Sequence, residues 1–240
     1  MKIIMTGAGG GIGSNICTYL SSSHTIYAIV RSRESFNKFN NISSSLIPLK
    51  VDVTKKEEIK SLFKNIKSLD VLINCAAILR PVGNFLENNL DEWEKNIKTN
   101  LLGTVYMCYY AIPLLKKSTK GTIINFAGGG SAYGRPYHTA YASSKTAVVR
   151  FSESLAMEYP NIDINSIAPG AHKTGMWKDE SIDREPQQWG EMTKLIEFIN
   201  FLISPESKGI TGKFIHYKDD WKRFSKRNLN SDKYTLRRII

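Results

Sequence analysis

Tyr141 and Lys145 stand four residues apart in "TAYASSKTAVVRF", Thr139 to Phe151, a stretch that reads as the start of a helix. Residues i and i+4 share one helical face. A phenol ionises near about pH 10 in water and is a poor base at neutral pH. A neighbouring ammonium favours phenolate, and acid–base catalysis improves as the pKa approaches ambient pH. The pair is therefore either a proton-transferring couple or an incidental pair on a solvated helix, depending on what the chain brings beside that face.

A second chemical pattern lies at the start of the chain. In "TGAGGGIG", Thr6 to Gly13, a strand-like run gives way to a helix through glycines. Such glycines let the backbone turn sharply and approach a pyrophosphate, which then rests at the positive end of the helix. Gly7, Gly9, Gly11, Ile12 and Gly13 are the candidate contacts. Further on, "VDV" (Val51 to Val53) and "INCAA" (Ile73 to Ala77) close two more strand-like runs. Ligands of open parallel sheets bind beyond the carboxyl ends of strands, which makes Asp52, Val53, Asn74 and Ala76 candidates for the adenine and ribose. A strand-end aspartate is also an ordinary turn or cap residue, so both readings of Asp52 stand.

With "TGAGGGIG", "NCAA", "KTNLLGT", "YASSK" and "SIAPGAHKTGM" in this order and at these intervals, residues 1 to about 215 resemble the compact, single-domain branch of the short-chain dehydrogenase/reductase family. The resemblance implies a Rossmann-type fold and hydride transfer between a nicotinamide cofactor and an alcohol or carbonyl. By position it implies that Tyr141 is the general acid/base and that Lys145 holds the nicotinamide ribose and lowers the tyrosine pKa. Asn100 would hold a water in the proton relay, and Pro169, Gly170 and Thr174 would line the nicotinamide.

Cofactor choice follows from charge. An acidic residue closing the second strand would bond the ribose 2′-hydroxyl of NAD. In "IYAIVRSR" Val30 stands there instead, with Arg31 next and Arg33 nearby. Guanidinium donors suit a 2′-phosphate, so NADP is expected over NAD.

One position breaks the family pattern. The serine that bonds the substrate oxygen would fall thirteen residues before the tyrosine, where this chain has Gly128 in "NFAGGGSAYGRPYH". Three explanations stand open: backbone N–H groups of the glycine loop replace the hydroxyl, Ser131 swings into its place, or carbonyl chemistry has been lost. Cys75 and Ala77 also depart from the family's "NNAG", and the chain extends past "ITGKFIHYKDDW" into a basic tail. Glycine-rich loops and tails of this kind loosely resemble bacterial members linked to polysaccharide sugars.

Positioning these residues takes alternating elements. Strand-like runs "KIIMTG", "TIYAIV", "LIPLKVDV", "DVLINCA", "GTIINFA" and "DINSIAPG" alternate with helical patterns over Ile12–Leu20, Lys55–Lys67, Leu90–Leu115 and Tyr141–Glu158. This predicts an α/β fold, a doubly wound parallel sheet with helices on both faces. One domain is expected over residues 1–215, with a substrate lid at about 175–193 and a basic tail over 216–240.

The 240 residues, 42% of them hydrophobic, suffice for a substantial core. Cys17, Cys75 and Cys108 are widely spaced, which argues for a reduced cytoplasmic setting with neither disulfides nor a metal site. No apolar run is long enough to span a bilayer, and a strand-like run at residue one leaves no room for a signal peptide. The net charge of +11 would suit an anionic partner such as nucleic acid, a phosphorylated ligand or a membrane surface, and a lysine- and asparagine-rich composition spread over solvated faces accounts for it as well. Only the tail mixes basic residues with aromatics, and its aspartates argue against nucleic acid.

Tyr133, Tyr137, His138, Trp177 and Trp189 fall on loops expected to border the pocket, with Lys173 and Lys178 nearby. Flat aromatic faces suit sugar rings, and ordinary packing under a lid accounts for the same residues. The resulting expectation is an NADP-dependent oxidoreductase acting on a small molecule, a sugar or nucleotide-linked sugar among the candidates. It would work as a homo-oligomer, a dimer or tetramer built through the long helices. The alternative is an NADP-binding sensor or scaffold without turnover.

Overall fold

The computed structural model describes residues 1–39, 42–225, 229 and 232–237. Its strands are β1 (Lys2–Thr6), β2 (Thr25–Val30), β3 (Leu46–Lys50), β4 (Val71–Asn74), β5 (Gly121–Phe126), β6 (Ile162–Ala168) and β7 (Phe214–His216). They form one sheet in the order β3-β2-β1-β4-β5-β6-β7, and every pairing is parallel. The helices are α1 (Gly11–Leu20), α2 (Arg33–Phe39), α3 (Lys56–Asn65), α4 (Leu90–Ile97), α5 (Gly103–Leu115), α6 (Thr139–Glu158) and α7 (Met192–Ile203). The architecture is Rossmann-like, as the alternation of patterns predicts.

The strands are apolar on both faces because both faces are covered, as parallel sheets require. Successive side chains of β1 show the division: Ile3 and Met5 join the core under α1 and α7, while Ile4 joins the core under α3 and α5. β4 repeats it, with Val71 and Ile73 on the first side and Leu72 on the second. Pro48, which has no N–H to give a ladder, sits in β3 at the sheet edge, where its loss is tolerated. At the opposite edge, the Phe214 N–H donates to Tyr234 O at 2.7 Å, and Trp221 and Leu229 are buried in the core with α7. The described part of the tail is thus packed against the domain; residues 226–228, 230–231 and 238–240 of the expected tail lie outside the described residues.

The strand order reverses direction at β1, from which the chain builds outward to β2 on one side and β4 on the other. Beyond the carboxyl ends of β1 and β4 the crossover helices part, and a crevice opens there. Among the described residues no helix is long and apolar enough to cross a membrane.

The expected helix over Leu90–Leu115 forms, but a π-helical turn at Lys98–Leu102 divides it into α4 and α5. That turn carries Asn100, and a buried amide network surrounds it. Asn96 Nδ2 donates to the carbonyls of Ile78 (3.1 Å), Leu79 (3.2 Å) and Arg80 (2.7 Å). Asn100 Nδ2 donates to Ile78 O, Asn96 Oδ1 and Ser144 Oγ, and its Oδ1 accepts from the Ile78 N–H. Ser144 Oγ in turn donates to Asn96 Oδ1 at 2.9 Å. One cluster therefore fixes the loop after β4, the α4–α5 junction and α6 together. Asn96→Ala would strand two loop carbonyls, those of Leu79 and Arg80, since Ile78 O keeps its bond from Asn100; each is worth about 1–3 kcal/mol when buried without a partner. We expect it to destabilise the protein by roughly 2–3 kcal/mol, read as a fall in the urea midpoint.

Candidate active site

A cavity of about 960 Å³ fills the crevice. Its floor is the glycine turn. Gly7 adopts φ +68°, and a Cβ there would lie 2.7 Å from Ala76 N, so only glycine lets the turn meet the end of β4. At Gly13 a Cβ would lie 2.2 Å from Gly7 O, which brings the first turn of α1 directly under the loop. The Thr6 hydroxyl pins the other wall, accepting from the N–H groups of Cys75 and Ala76, both at 3.1 Å. α1 is preceded by Gly10, which offers no side-chain cap, and has no acidic residue in its first turn. Its first N–H groups and positive dipole end thus suit an anionic diphosphate.

Twelve of the thirteen candidate cofactor contacts outside the Tyr–Lys pair line this cavity: Gly7, Gly9, Gly11, Ile12, Gly13, Arg31, Asp52, Val53, Ala76, Pro169, Gly170 and Thr174. Asn74 does not. Its Nδ2 donates to Asn125 Oδ1 at 2.9 Å and Cys108 Sγ at 3.4 Å, so its amide faces the layer beneath the sheet, while the wall is made by Cys75, Ala76, Ala77 and Ile78. The side-chain period of two puts the residue after Asn74 on the other face. Asp52 serves its turn as well as the wall, its Oδ1 accepting from Thr54 N and Thr54 Oγ1. Beside Arg31 stand Ser32 and Ser35, unnoticed in the sequence, with Ser32 Oγ donating to Ser35 Oγ at 2.9 Å.

Tyr141 and Lys145 share one face of α6 and both line the cavity, 8% and 2% exposed. Lys145 Nζ donates to Phe126 O at 2.7 Å and lies 5.8 Å from the centre of the Tyr141 ring. Burial pushes the phenol up to about 12 and the ammonium down to about 8. Lowering of the phenol by Lys145 is not what this site shows. The charge that opposes the effect of burial on Tyr141 is the Arg135 guanidinium. Lys145 spends its short reach on a main-chain carbonyl instead.

Asn100 is fully buried and does not line the cavity, which at this point presents Thr99. Its side chain is committed to Ile78, Asn96 and Ser144, not turned toward a relay water. Gly128 and Gly129 line the cavity where the family's serine would project. A Cβ at Gly128 would lie 2.5 Å from the Tyr141 hydroxyl, so the tyrosine occupies the space of the missing side chain. Ser131 is turned away: its Oγ accepts from Gly128 N at 3.1 Å and donates to Gly128 O at 2.7 Å.

The loop before α6 is clasped to the segment after β6. Arg135 Nη2 donates to Glu180 Oε2 (2.8 Å) and Asp183 Oδ2 (2.5 Å), and Nε donates to Asp183 Oδ2 (3.1 Å). His138, fully buried, places Nε2 2.9 Å from Glu180 Oε2 and Nδ1 2.8 Å from Pro136 O. Burial opposes ionisation of Glu180, but the N–H groups of Asp183 and Ile182, with His138, hold its carboxyl below the usual range. Of the expected aromatics, Tyr133 and Trp177 line the cavity. Tyr137, His138 and Trp189 do not, and Trp189 instead packs edge-on against Trp177 at 5.1 Å. Lys173 and Lys178 are likewise outside the lining, which takes its positive charge from Arg31, Arg135 and Arg184, besides Lys145. Arg135 and Glu180 carried one legible signal, charged residues on glycine- and proline-bearing loops at both ends of the site, but their pairing spans 45 residues.

Fold and cavity together define a Rossmann-like α/β oxidoreductase. Residues 1–185 match the short chain dehydrogenase family, and the chain belongs to it. It is similar to the 3-oxoacyl-[acyl-carrier-protein] reductase FabG of Buchnera aphidicola, 30% identical over 232 residues, 89% of this chain and 94% of that protein. Similarity to the 3-ketodihydrosphingosine reductase of Bacteroides thetaiotaomicron is 30% over 184 residues, 75% of this chain and 67% of that one. Among solved structures, the oxidoreductase yciK of E. coli superposes with a TM-score of 0.83 at 24% identity, over 90% of this chain and 94% of that one. ElxO with NADP bound gives 0.78 at 28%, over 90% and 96%. The chain is thus an oxidoreductase of C=O and CH–OH groups.

Two outcomes are expected of this site. Gly128→Ala forces a methyl against the Tyr141 hydroxyl and should lower turnover at least tenfold in a steady-state assay. Lys145 is harder to charge in the folded protein than in the unfolded chain, where its pKa is about 10.4. Below about pH 8 the folded state carries the cost of that buried charge. Between about pH 8 and 10 it loses its proton while the unfolded chain keeps one, so stability rises with pH. Cofactor-free protein should therefore gain stability over that window relative to Lys145→Met, as read by urea unfolding.

Proposed function

We propose that the protein transfers hydride between NADP and a carbonyl or alcohol, with Tyr141 exchanging the proton. The observation that carries this is the placing of the Tyr141 phenol and Lys145 ammonium in the same cavity as the glycine turn. Bound there, a nicotinamide dinucleotide supplies or accepts the hydride. Gly7, Gly9, Gly11, Ile12 and Gly13 would take the diphosphate, Asp52, Val53 and Ala76 the adenosine side, and Pro169, Gly170 and Thr174 the nicotinamide side. Lys145 would hold the nicotinamide ribose. With the positive charge of an oxidised ring beside it, the phenol would fall from its cofactor-free value toward ambient pH. Asn100 acts as a positioning residue, locking α6 to the α4–α5 junction.

Arg31, Ser32 and Ser35 support NADP over NAD, since a guanidinium and two hydroxyls suit a 2′-phosphate. ElxO, a relative at 28% identity with NADP bound, supports the same choice. For the substrate, Tyr133 and Trp177 beside Arg135 and Arg184 favour a polar, ring-bearing molecule such as a sugar or nucleotide-linked sugar. The names of the curated relatives favour 3-oxoacyl thioesters as the second reading. We place the enzyme in the cytoplasm as a homo-oligomer, with residues 175–193 as its lid.

A panel of keto-sugars, nucleotide-sugars and 3-oxoacyl thioesters, followed by NADPH oxidation, tests the reading. Tyr141→Phe should keep NADPH binding by fluorescence titration and lose turnover by about a thousandfold. Binding of NADPH with no hydride transfer to any carbonyl would favour the sensor instead. Arg31→Glu should weaken NADPH relative to NADH by about ten- to a hundredfold, the worth of one charge-assisted bond to phosphate.

A further inference from the structure

The site has a phenol to exchange the proton but no serine to steady the oxygen that receives it. Of the replacements expected from the sequence, Ser131 does not fit the geometry, and the first N–H of the glycine loop is already taken. Ser131 Oγ is used up on Gly128, accepting from its N–H and donating to its carbonyl, and Ser131 does not line the cavity. The same bond occupies the Gly128 N–H, which removes that donor from the glycine loop. No side chain at residue 128 can reach the oxygen while the Tyr141 hydroxyl stands 2.5 Å from the Cβ position.

Arg135 fills the same corner. It lines the cavity with Gly128, Gly129 and Tyr141, and its Nη1 is 3.5 Å from where a Gly129 Cβ would be. Its side chain is 17% exposed, and its charge is felt by the Tyr141 phenol. Asp183 and Glu180 grip it through Nε and Nη2. Among the described residues Nη1 has no acceptor, so a planar group fixed on one edge presents its other edge to the cavity. A guanidinium keeps its charge at any working pH, and its donors are held in a rigid plane.

We propose that Arg135, through Nη1, is the hydrogen-bond donor to the reacting oxygen of the substrate, the part that a serine would otherwise play. This rests on the hydride-transfer reading above. In reduction, the carbonyl carbon accepts hydride from bound reduced nicotinamide, which is oxidised. The carbonyl π pair moves onto oxygen, and that oxygen takes the Tyr141 hydroxyl proton. Arg135 loses no proton; it stabilises the growing negative charge, and a charged donor does so more strongly than a hydroxyl. Glycines at 128 and 129 then have a reason: side chains there would stand between the guanidinium and the phenol.

The experiment is Arg135→Ala and Arg135→Lys in the full chain, assayed with NADPH and the best carbonyl of the panel. Arg135→Ala should lose about a hundredfold in kcat, the usual effect of removing one such donor, with NADPH binding unchanged. Added guanidine at non-denaturing concentration should restore part of the loss, and Arg135→Lys should fall between. With NADP+ bound, the Tyr141 phenol, isolated as the near-ultraviolet absorbance difference from Tyr141→Phe, should ionise at higher pH in Arg135→Ala. Wild-type turnover in Arg135→Ala overturns the proposal. So does a loss that guanidine does not rescue and that leaves the phenol titration unmoved, since Arg135 is then only an anchor of the clasp. A wild-type protein inert toward every carbonyl fails the functional reading itself and takes this proposal with it.

Discussion

Desolvation of two ionisable side chains is the constraint around which this structure is arranged. A phenol and an ammonium are held at the carboxyl ends of a parallel sheet, where burial disfavours the charged form of each. In water neither group would depart from its ordinary pKa, and neither would be responsive to a neighbour. In the crevice, the ammonium rests on one main-chain carbonyl and the phenol lies against a glycine, so an incoming charge acts on both with little water to screen it.

Holding such groups out of water demands rigid walls. The parallel sheet provides the floor, because β1 and β4 are paired side by side and their ends are tied by the Thr6 hydroxyl. The amide cluster of Asn96, Asn100 and Ser144 supplies the side wall, joining three segments that no apolar contact would set so closely in register. Buried polar networks fix a single arrangement only when every member is satisfied, and here the Asn96 and Asn100 amides and the Ser144 hydroxyl all find partners. The roof is held by charge: Arg135, Glu180, His138 and Asp183 join the loop before α6 to the segment after β6. Opposite charges at low exposure attract strongly but cost desolvation, which suits a contact that positions the segment after β6 more than one that adds stability.

Local patterns were readable in advance where they repeat. The glycine turn, six of the seven strands, and the helices carrying the Tyr–Lys pair and the central crossover follow from alternating polarity and from residues that only glycine can replace. What escaped was short or non-periodic. β7 has three residues, too few for a period to show. α2 is seven residues with mixed polarity. α7 lies beyond an irregular loop that masked its start. The π-turn inside the long helix leaves no trace in hydrophobic spacing, because it adds one residue to a turn whose buried side chains, Thr99 and Asn100, are polar. Asn74, named as a candidate contact, lies off the cavity lining for a related reason: at a strand end, a shift of one residue reverses which side chain faces the crevice.

Residue types and spacing alone determined that a tyrosine and a lysine share one helical face behind a glycine turn. These are properties of neighbours within one helix or one loop, set by covalent geometry and the 3.6-residue repeat. Tertiary structure alone decided that Lys145 turns to Phe126, that the Tyr141 hydroxyl fills the space above Gly128, and that Arg135 lines the same cavity as the phenol while anchored by residues 45 and 48 positions away. Those outcomes depend on which segments the sheet order brings together and how much water it removes, and neither quantity is written in any local stretch of the chain.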